Sequence, residues 1–382
     1  MTPRGLILWE APRAEPISAR IAIGGDFLPA GKLSLPAGGW RDAARGLSAH
    51  FADVAMSFVN LECALDAETL PARPLSGIGT IVSAPADSLD FLAAIESSAV
   101  CIANNHIFDF GHAGAVRTRQ TLTHRGIVPL GAGGTLRGTP EVFVWQGPGN
   151  VRVGFWAAAS ACRDLATRKS PGVEPATVAR ALQALTTMKS HGAKLAVALL
   201  HAGCLRTSRP DPADVERMDA IARCGFDLVA ASHSHRISGA KLLANSDRSP
   251  SFCFYGLGSV ASGYVASPLE REGLIVVAGL NSRGHLARIE VRPVWLAKTG
   301  FGKVPSPETS ATILERFRTL SDEIADGTYR RLFYRDLSVG LVRLQLRDTR
   351  AAFRNLGLRG IVHKVARLRL RHVRRLVHGV IP

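Results

Sequence analysis

The sequence predicts an α/β protein of mixed β-sheets flanked by helices, carrying a C-terminal helical appendage that is strongly basic. Two observations predict the main body. Short apolar runs alternate with amphipathic stretches from about residue 19 to 300, and polar segments fall where the apolar runs end. The appendage is marked by charge: nine Lys or Arg residues and no acid lie between Arg350 and Arg375.

The strands come first. ARIAIGG (19–25), VAMSFVN (54–60), AVCIAN (99–104), KLAVALL (194–200), FDLVAAS (226–232) and SFCFYGLG (251–258) are continuous apolar runs between polar turns. Such runs suit interior strands of sheets covered on both faces. EVFVW and VRVGFWAAA, joined by QGPGN (146–150), read as a hairpin-like unit. Helices are expected between the strands, at 84–95 with Asp87 as N-cap, at 112–126, at 175–192 and at 211–225. The last three stop at a glycine, which accepts the left-handed geometry that ends helices. Beyond residue 300, Ser306 as N-cap and Pro307 at the first helical position open a helix over 306–325. The expected division is an N-terminal extension (1–18), a main domain (19–300) and a helical C-terminal region ending in a basic amphipathic tail (301–382).

Composition narrows the setting. No stretch of about 18 uncharged apolar residues exists in the sequence, so no transmembrane helix is predicted. The N-terminus has four apolar residues before Glu10, too few for the core of a signal peptide. The expected location is cytoplasmic. Six cysteines are scattered without a CxxC pair, as reduced, mostly buried residues would be.

Five segments concentrate polar residues behind apolar runs: GGD (24–26), NLE (60–62), NNHIFDFGHAG (104–114), HAG (201–203) and SHSH (232–235). Loops at the carboxyl ends of strands are where open α/β sheets bind ligands. The segments offer carboxylates, amides and imidazoles, a mixed N and O set suited to Zn, Mn or Fe(II). Each residue alone has an ordinary alternative. Asp26 could form a turn, Glu62 could be a solvated loop acid, and Asn104 and Asn105 tolerate turn geometry. His233 and His235 are alternate residues of an expected extended segment and would point the same way. The case rests on five weak signals in one order.

In that order, GGD, NLE, NNHxxDxG, HxG, HxH and YxLG resemble the capsule-biosynthesis CapA family, poly-γ-glutamate synthesis proteins related to the calcineurin-like metallophosphoesterases. The likeness covers roughly residues 19 to 300, with ANNHIFDFGHAG (103–114) its most specific stretch. It implies a calcineurin-like metallophosphoesterase fold holding one or two divalent ions, Mn, Zn or Fe. By that resemblance Asp26 and His235 would bind the first metal and Glu62 would stand in the bridging position. Asn105, His201 and His233 would bind the second. His106 would protonate the leaving group or bind the substrate's oxyanion, and Asp109 would orient it. The chain departs from the related pattern at Phe27-Leu28, where Asp-x-His is usual. It departs again at Ala202 and Leu205 in the HWGxE segment, at Ser234 in place of proline, and at Ser259 in place of asparagine.

Two other motifs fail on spacing. GDFLPAGK (25–32) puts five residues between glycines where a phosphate-binding loop needs four, and LGAGG (130–134) lacks dinucleotide-binding spacing. In the tail, residues 361–377 place Val362, Val365, Leu368 and Leu376 on one arc with Lys364, Arg367, Arg371 and Arg374 opposite. That pattern suits an anionic membrane surface or partner, or a helix that packs its apolar face on the main domain and leaves its arginines solvated. No aromatic residue follows Phe353 in the basic stretch, which disfavours nucleic acid. The ligand set and the resemblance together imply metal-dependent hydrolysis of a phosphoester or related bond, and the resemblance alone implies that it serves an anionic extracellular polymer. The competing class is a non-catalytic component that binds polymer or a synthase at the inner membrane face.

Overall fold

The computed structural model describes residues 5–12, 15–72, 80–244 and 250–337 of the chain. Among them two large sheets form. In the first, Ala19–Gly31, Met56–Leu61, Ser97–Cys101 and Val128–Leu130 run parallel in that order. Beyond Ala19–Gly31 the sheet continues antiparallel through Glu272–Leu280, Leu286–Leu296 and the edge strand Leu6–Glu10. The second sheet is parallel through Ser251–Phe254, Leu228–His233, Leu195–Ala202 and Arg152–Ala159. It is closed on both edges by antiparallel strands, Ala240–Leu243 and Phe143–Gln146. The mixed α/β architecture expected from the sequence is what the chain adopts.

Side-chain alternation explains how the sheets pack. In Leu195–Ala202, residues 195, 197 and 199 enter the core shared with the first sheet, where Phe58 and Phe155 meet edge to face at 5.1 Å. Residues 196, 198, 200 and 202 enter a second core, with Ala181, Leu185 and Met188 of one helix and Val215, Met218 and Ile221 of another. Those helices, Val178–Ser190 and Pro212–Arg223, each have a side-chain N-cap. Thr177 Oγ1 accepts from the Arg180 amide, and an Asp211 carboxylate oxygen accepts from the Ala213 amide. The helix Pro307–Ala325 follows its Ser306 cap and seats Phe317 against Phe254, ring centroids 6.5 Å apart.

Several local expectations need correction. Asp87 caps nothing: a short 3-10 turn at Ala86–Ser88 runs into the helix Leu89–Ala94, and neither start has a side-chain cap bond. The first strand continues six residues past Gly25, to Gly31. All six cysteines are free thiols, but Cys162, Cys204 and Cys224 are partly exposed. No helix among the described residues is long and apolar enough to cross a membrane. The amphipathic stretch expected at 361–377 lies outside the described residues.

Candidate metal centre

The centre lies between the sheets at the carboxyl ends of their parallel strands, and each donor arrives for a local reason. Asp26 sits within the long strand Ala19–Gly31 and is fully buried. A neighbouring backbone passes close to it because residue 25 is glycine: a Cβ there would lie 2.0 Å from the Gly258 carbonyl oxygen. The close approach lets the Asp26 amide donate to Gly258 O at 2.9 Å and brings Ser259 beside Asp26. Asn60 faces Asp26 from the other side, and its Nδ2 donates to Asp26 Oδ1 at 2.8 Å. Glu62 follows the strand Met56–Leu61, pinned by its amide to Phe27 O at 3.0 Å.

His201 shares the parity of Leu195, Val197 and Leu199, so it points between the sheets. Its Nε2 lies 2.7 Å from Asn105 Oδ1 and 3.5 Å from Glu62 Oε1. His233 and His235 reach the centre by a different route from the one expected. His233 ends its strand with φ 120° and His235 has φ 54°, so the segment is a strained turn, not an extended pair. The turn points the imidazoles at different partners. His233 Nδ1 is 3.9 Å from Glu62 Oε1, and its ring centroid is 4.4 Å from that of His201. His235 Nδ1 lies 3.7 Å from Glu62 Oε2 and 3.1 Å from Asp26 Oδ2.

Two sets of donors result. Glu62, His201 and His233 form one, and Asp26, Glu62 and His235 form the other, with the ligand atoms of each set within 4.8 Å of one another. Glu62 belongs to both. The six residues read from the sequence as ligands are therefore brought together, Asn105 through its contact with His201. Glu62 Oε2, His233 Nδ1 and His235 Nδ1 are buried without a hydrogen-bond partner. His235 is within ion-pair range of Asp26 but off hydrogen-bond alignment. Buried donors and acceptors left unused are costly, and cations in the two sets would use all three.

The sequence profile of the bacterial capsule synthesis protein PGA_cap family matches residues 20–264. The chain belongs to this family. A relative, the capsule biosynthesis protein CapA of Bacillus anthracis, is 25% identical over 235 residues, 59% of this chain and 54% of that protein. This PGA_cap chain thus spans about half the length of that relative. Among solved structures it resembles a 5′-nucleotidase precursor from Thermus thermophilus (TM-score 0.46, 15% identity, 79% of this chain and 58% of that one). It also resembles the calcineurin-like phosphoesterase YfkN from Bacillus subtilis (TM-score 0.45, 14% identity, 81% and 98%).

Charge within the PGA_cap centre follows from its crowding. For His235, burial opposes protonation, but the nearby Glu62 and Asp26 carboxylates outweigh it and push the imidazole up to about 9. For Asp26, burial likewise opposes charge, yet His235 and Asn60 hold the carboxyl below its usual range. His201 is driven well below the ordinary histidine range by burial and by the neighbouring His233, His106 and His235. It is neutral, the form in which imidazole ligates.

His106 stands beside this cluster on the loop that carries Asn105. Its Nδ1 pairs with Asp109 Oδ2 at 2.7 Å, and the same oxygen accepts from the Val82 amide at 2.8 Å. That arrangement fixes the ring and leaves Nε2 for another partner. Asn104 anchors the loop: its Oδ1 accepts the amides of His106 and Ile107, each at 3.1 Å, while its Nδ2 donates to Leu61 O at 2.7 Å. Asn60 and Asn104 are two structural supports the sequence reading did not assign. A signal for Asn60 was present, since it stands two residues before Glu62 on the same strand face.

Proposed function

We propose that this chain is a hydrolase that uses one or two divalent ions, Mn, Zn or Fe, to cleave a phosphoester or related bond. The bond would belong to the making or modification of a poly-γ-glutamate-like anionic polymer. One observation carries the reading: two donor sets share Glu62 and contain three buried donor atoms with no hydrogen-bond partner. Asp26, Glu62 and His235 would hold one ion, and Glu62, His201, His233 and Asn105 the other. A bound ion of this kind supplies Lewis acidity and lowers the pKa of water. His106, steadied by Asp109, would give a proton to the leaving oxygen through Nε2. Family membership and the capsule-biosynthesis relative support the polymer link.

The test is metal content followed by turnover. Full-length chain expressed with Mn, Zn and Fe supplied should retain about one to two ions per chain, and His233→Ala should lose them. With Mn added, a generic phosphodiester should be hydrolysed, and His106→Ala should remove that activity while keeping the metal. Metal-free protein under these conditions would overturn the reading. The absence of a histidine at Leu28 leaves the Asp26 set with three donors and favours, as second reading, a non-catalytic polymer- or synthase-binding component. Metal retained without turnover, together with polymer binding, would establish it.

A further inference from the structure

Two arginines are tied through their backbones to the turn that carries His233 and His235, and the carboxylate they share, Glu270, lies close enough to His235 to favour its charged form. Arg236 follows His235 directly, and the amide of Arg206 donates to Ser234 O, between the two histidines, at 2.9 Å. One buried carboxylate, Glu270, faces both guanidinium groups: its Oε1 is 3.6 Å from Arg206 Nε and 3.5 Å from Arg236 Nη2. Both separations exceed the span of a good N–H···O bond, and Glu270 is already engaged by the Ala266 amide at 2.7 Å and the Ser267 hydroxyl at 3.2 Å. Arg236 Nη2 also donates to Ser267 Oγ at 3.3 Å.

The guanidinium donors are therefore largely unspent. Arg236 Nε is buried with no hydrogen-bond partner, a costly arrangement that an anion would relieve. Arg206 holds a left-handed φ of 61°, and its side chain is 52% exposed. With His233 and His235, it makes three non-glycine residues in this region whose backbones are strained, as happens where a site over-determines its geometry. Planar guanidinium groups match carboxylate and phosphate oxygens in paired hydrogen bonds.

We propose that Arg206 and Arg236, held by Glu270, form an oxyanion handle beside the metal centre. The handle takes a second carboxylate or phosphate group that the substrate carries next to the ester being cleaved. The substrate class is then a phosphoester with a flanking anion, which rests on the phosphoester reading of the centre. Glu270 faces both arginines, and Glu272, which Arg236 also influences, is paired with Arg316 at 2.8 Å, so the handle stays cationic and attracts such a group.

Calorimetry on full-length, Mn-loaded protein tests this with three probes: ethyl phosphate, phosphoglycolate and ethanediol bisphosphate. The two-anion probes should bind at least about tenfold more tightly than ethyl phosphate. Whichever of the two gains more identifies the flanking group as carboxylate or phosphate. Arg206→Gln and Arg236→Gln should each abolish the excess while leaving Mn content and ethyl phosphate binding unchanged. Arg206 is the surface member, so its variant decides the matter if Arg236→Gln does not fold. No excess in the wild-type chain, or an excess that survives Arg206→Gln, overturns the handle. Should the chain take up no Mn, the phosphoester reading fails separately. The same titrations on metal-free protein then judge the handle by the same two outcomes.

Discussion

At the residue scale, the centre is a crowd of donors whose charges oppose one another, and Asn60 holds the crowd in place. Its amide donates to Asp26 at 2.8 Å and lies 3.3 Å from His201 Nδ1, touching one residue of each donor set. Supporting residues of this kind tune metal affinity without binding metal. Asn60→Leu keeps the volume and removes both contacts, so Mn affinity should fall by about 10- to 100-fold. Competition against a fluorescent chelator measures it, and unchanged affinity would remove Asn60 from the account. Protons compete for the same place. In the metal-free chain His235 is pushed up to about 9 from its ordinary 6.5, so it is protonated at pH 7. Stability from that raised group is full below pH 6.5 and is lost as pH rises through about 9. Metal binding runs the other way, because an ion must displace the proton. Mn affinity should rise about tenfold per unit between pH 7 and 8 with release of about one proton per chain. Titration in two buffers of different ionisation enthalpy reports that proton, and a pH-independent affinity would contradict it. The residues that meet at the centre were legible in the sequence because each stands in a polar segment behind an apolar run. Asn60 and Asn104 were harder to see, since their roles lie in contacts between strands distant in the chain.

At the element scale, the helix Pro307–Ala325 shows which features the sequence exposes. Ser306 accepts from the Thr309 amide at 3.2 Å, and proline follows at the first helical position. Both are local, and both were readable. Ser306→Ala should lower stability by about 1 kcal/mol. The face this helix buries was less readable: Ile313, Leu314, Phe317 and Leu320 join the core between the sheets. Phe317→Ala should therefore cost about 3–5 kcal/mol, seen as a lowered midpoint in urea unfolding. A loss comparable to that of Ser306→Ala would mean that the helix is merely resting on the surface. The SHSH segment marks the opposite limit. Period-two alternation brings both histidines to one side, and the structure reaches the same centre through left-handed backbone at His233 and His235. Such strain is sustained by tertiary contacts, among them the His233 amide bond to Asp26 at 3.2 Å, and local sequence does not announce it. Asp87 failed as a cap for a related reason: the turn Ala86–Ser88 already starts the helix that Asp87 was expected to open.

At the scale of the whole molecule, charge is divided between a site and a tail. Arg209, on the loop that follows His201, donates to both carboxylate oxygens of Glu323 at 2.7 Å and to Asp336 at 2.6 Å. The last described helical residues, up to 337, are thereby fastened to the loop that leaves the candidate centre. From there the chain continues into the segment with nine basic residues and no acid between Arg350 and Arg375. Nine positive charges of a net +16 so concentrated suit an anionic surface, where each basic residue near the headgroups contributes about 1 kcal/mol. We propose that the tail brings the centre to the anionic inner face of a membrane. Full-length protein should co-sediment with vesicles of mixed phosphatidylglycerol and phosphatidylcholine at about 0.1 M salt and release at about 0.5 M. Removal of residues 350–382 should abolish the binding and leave metal content unchanged. Undiminished vesicle binding by the truncated chain would place the contact elsewhere. Salt-dependent binding to duplex nucleic acid that disappears with the same truncation, in the absence of vesicle binding, would assign the tail to phosphate backbones instead.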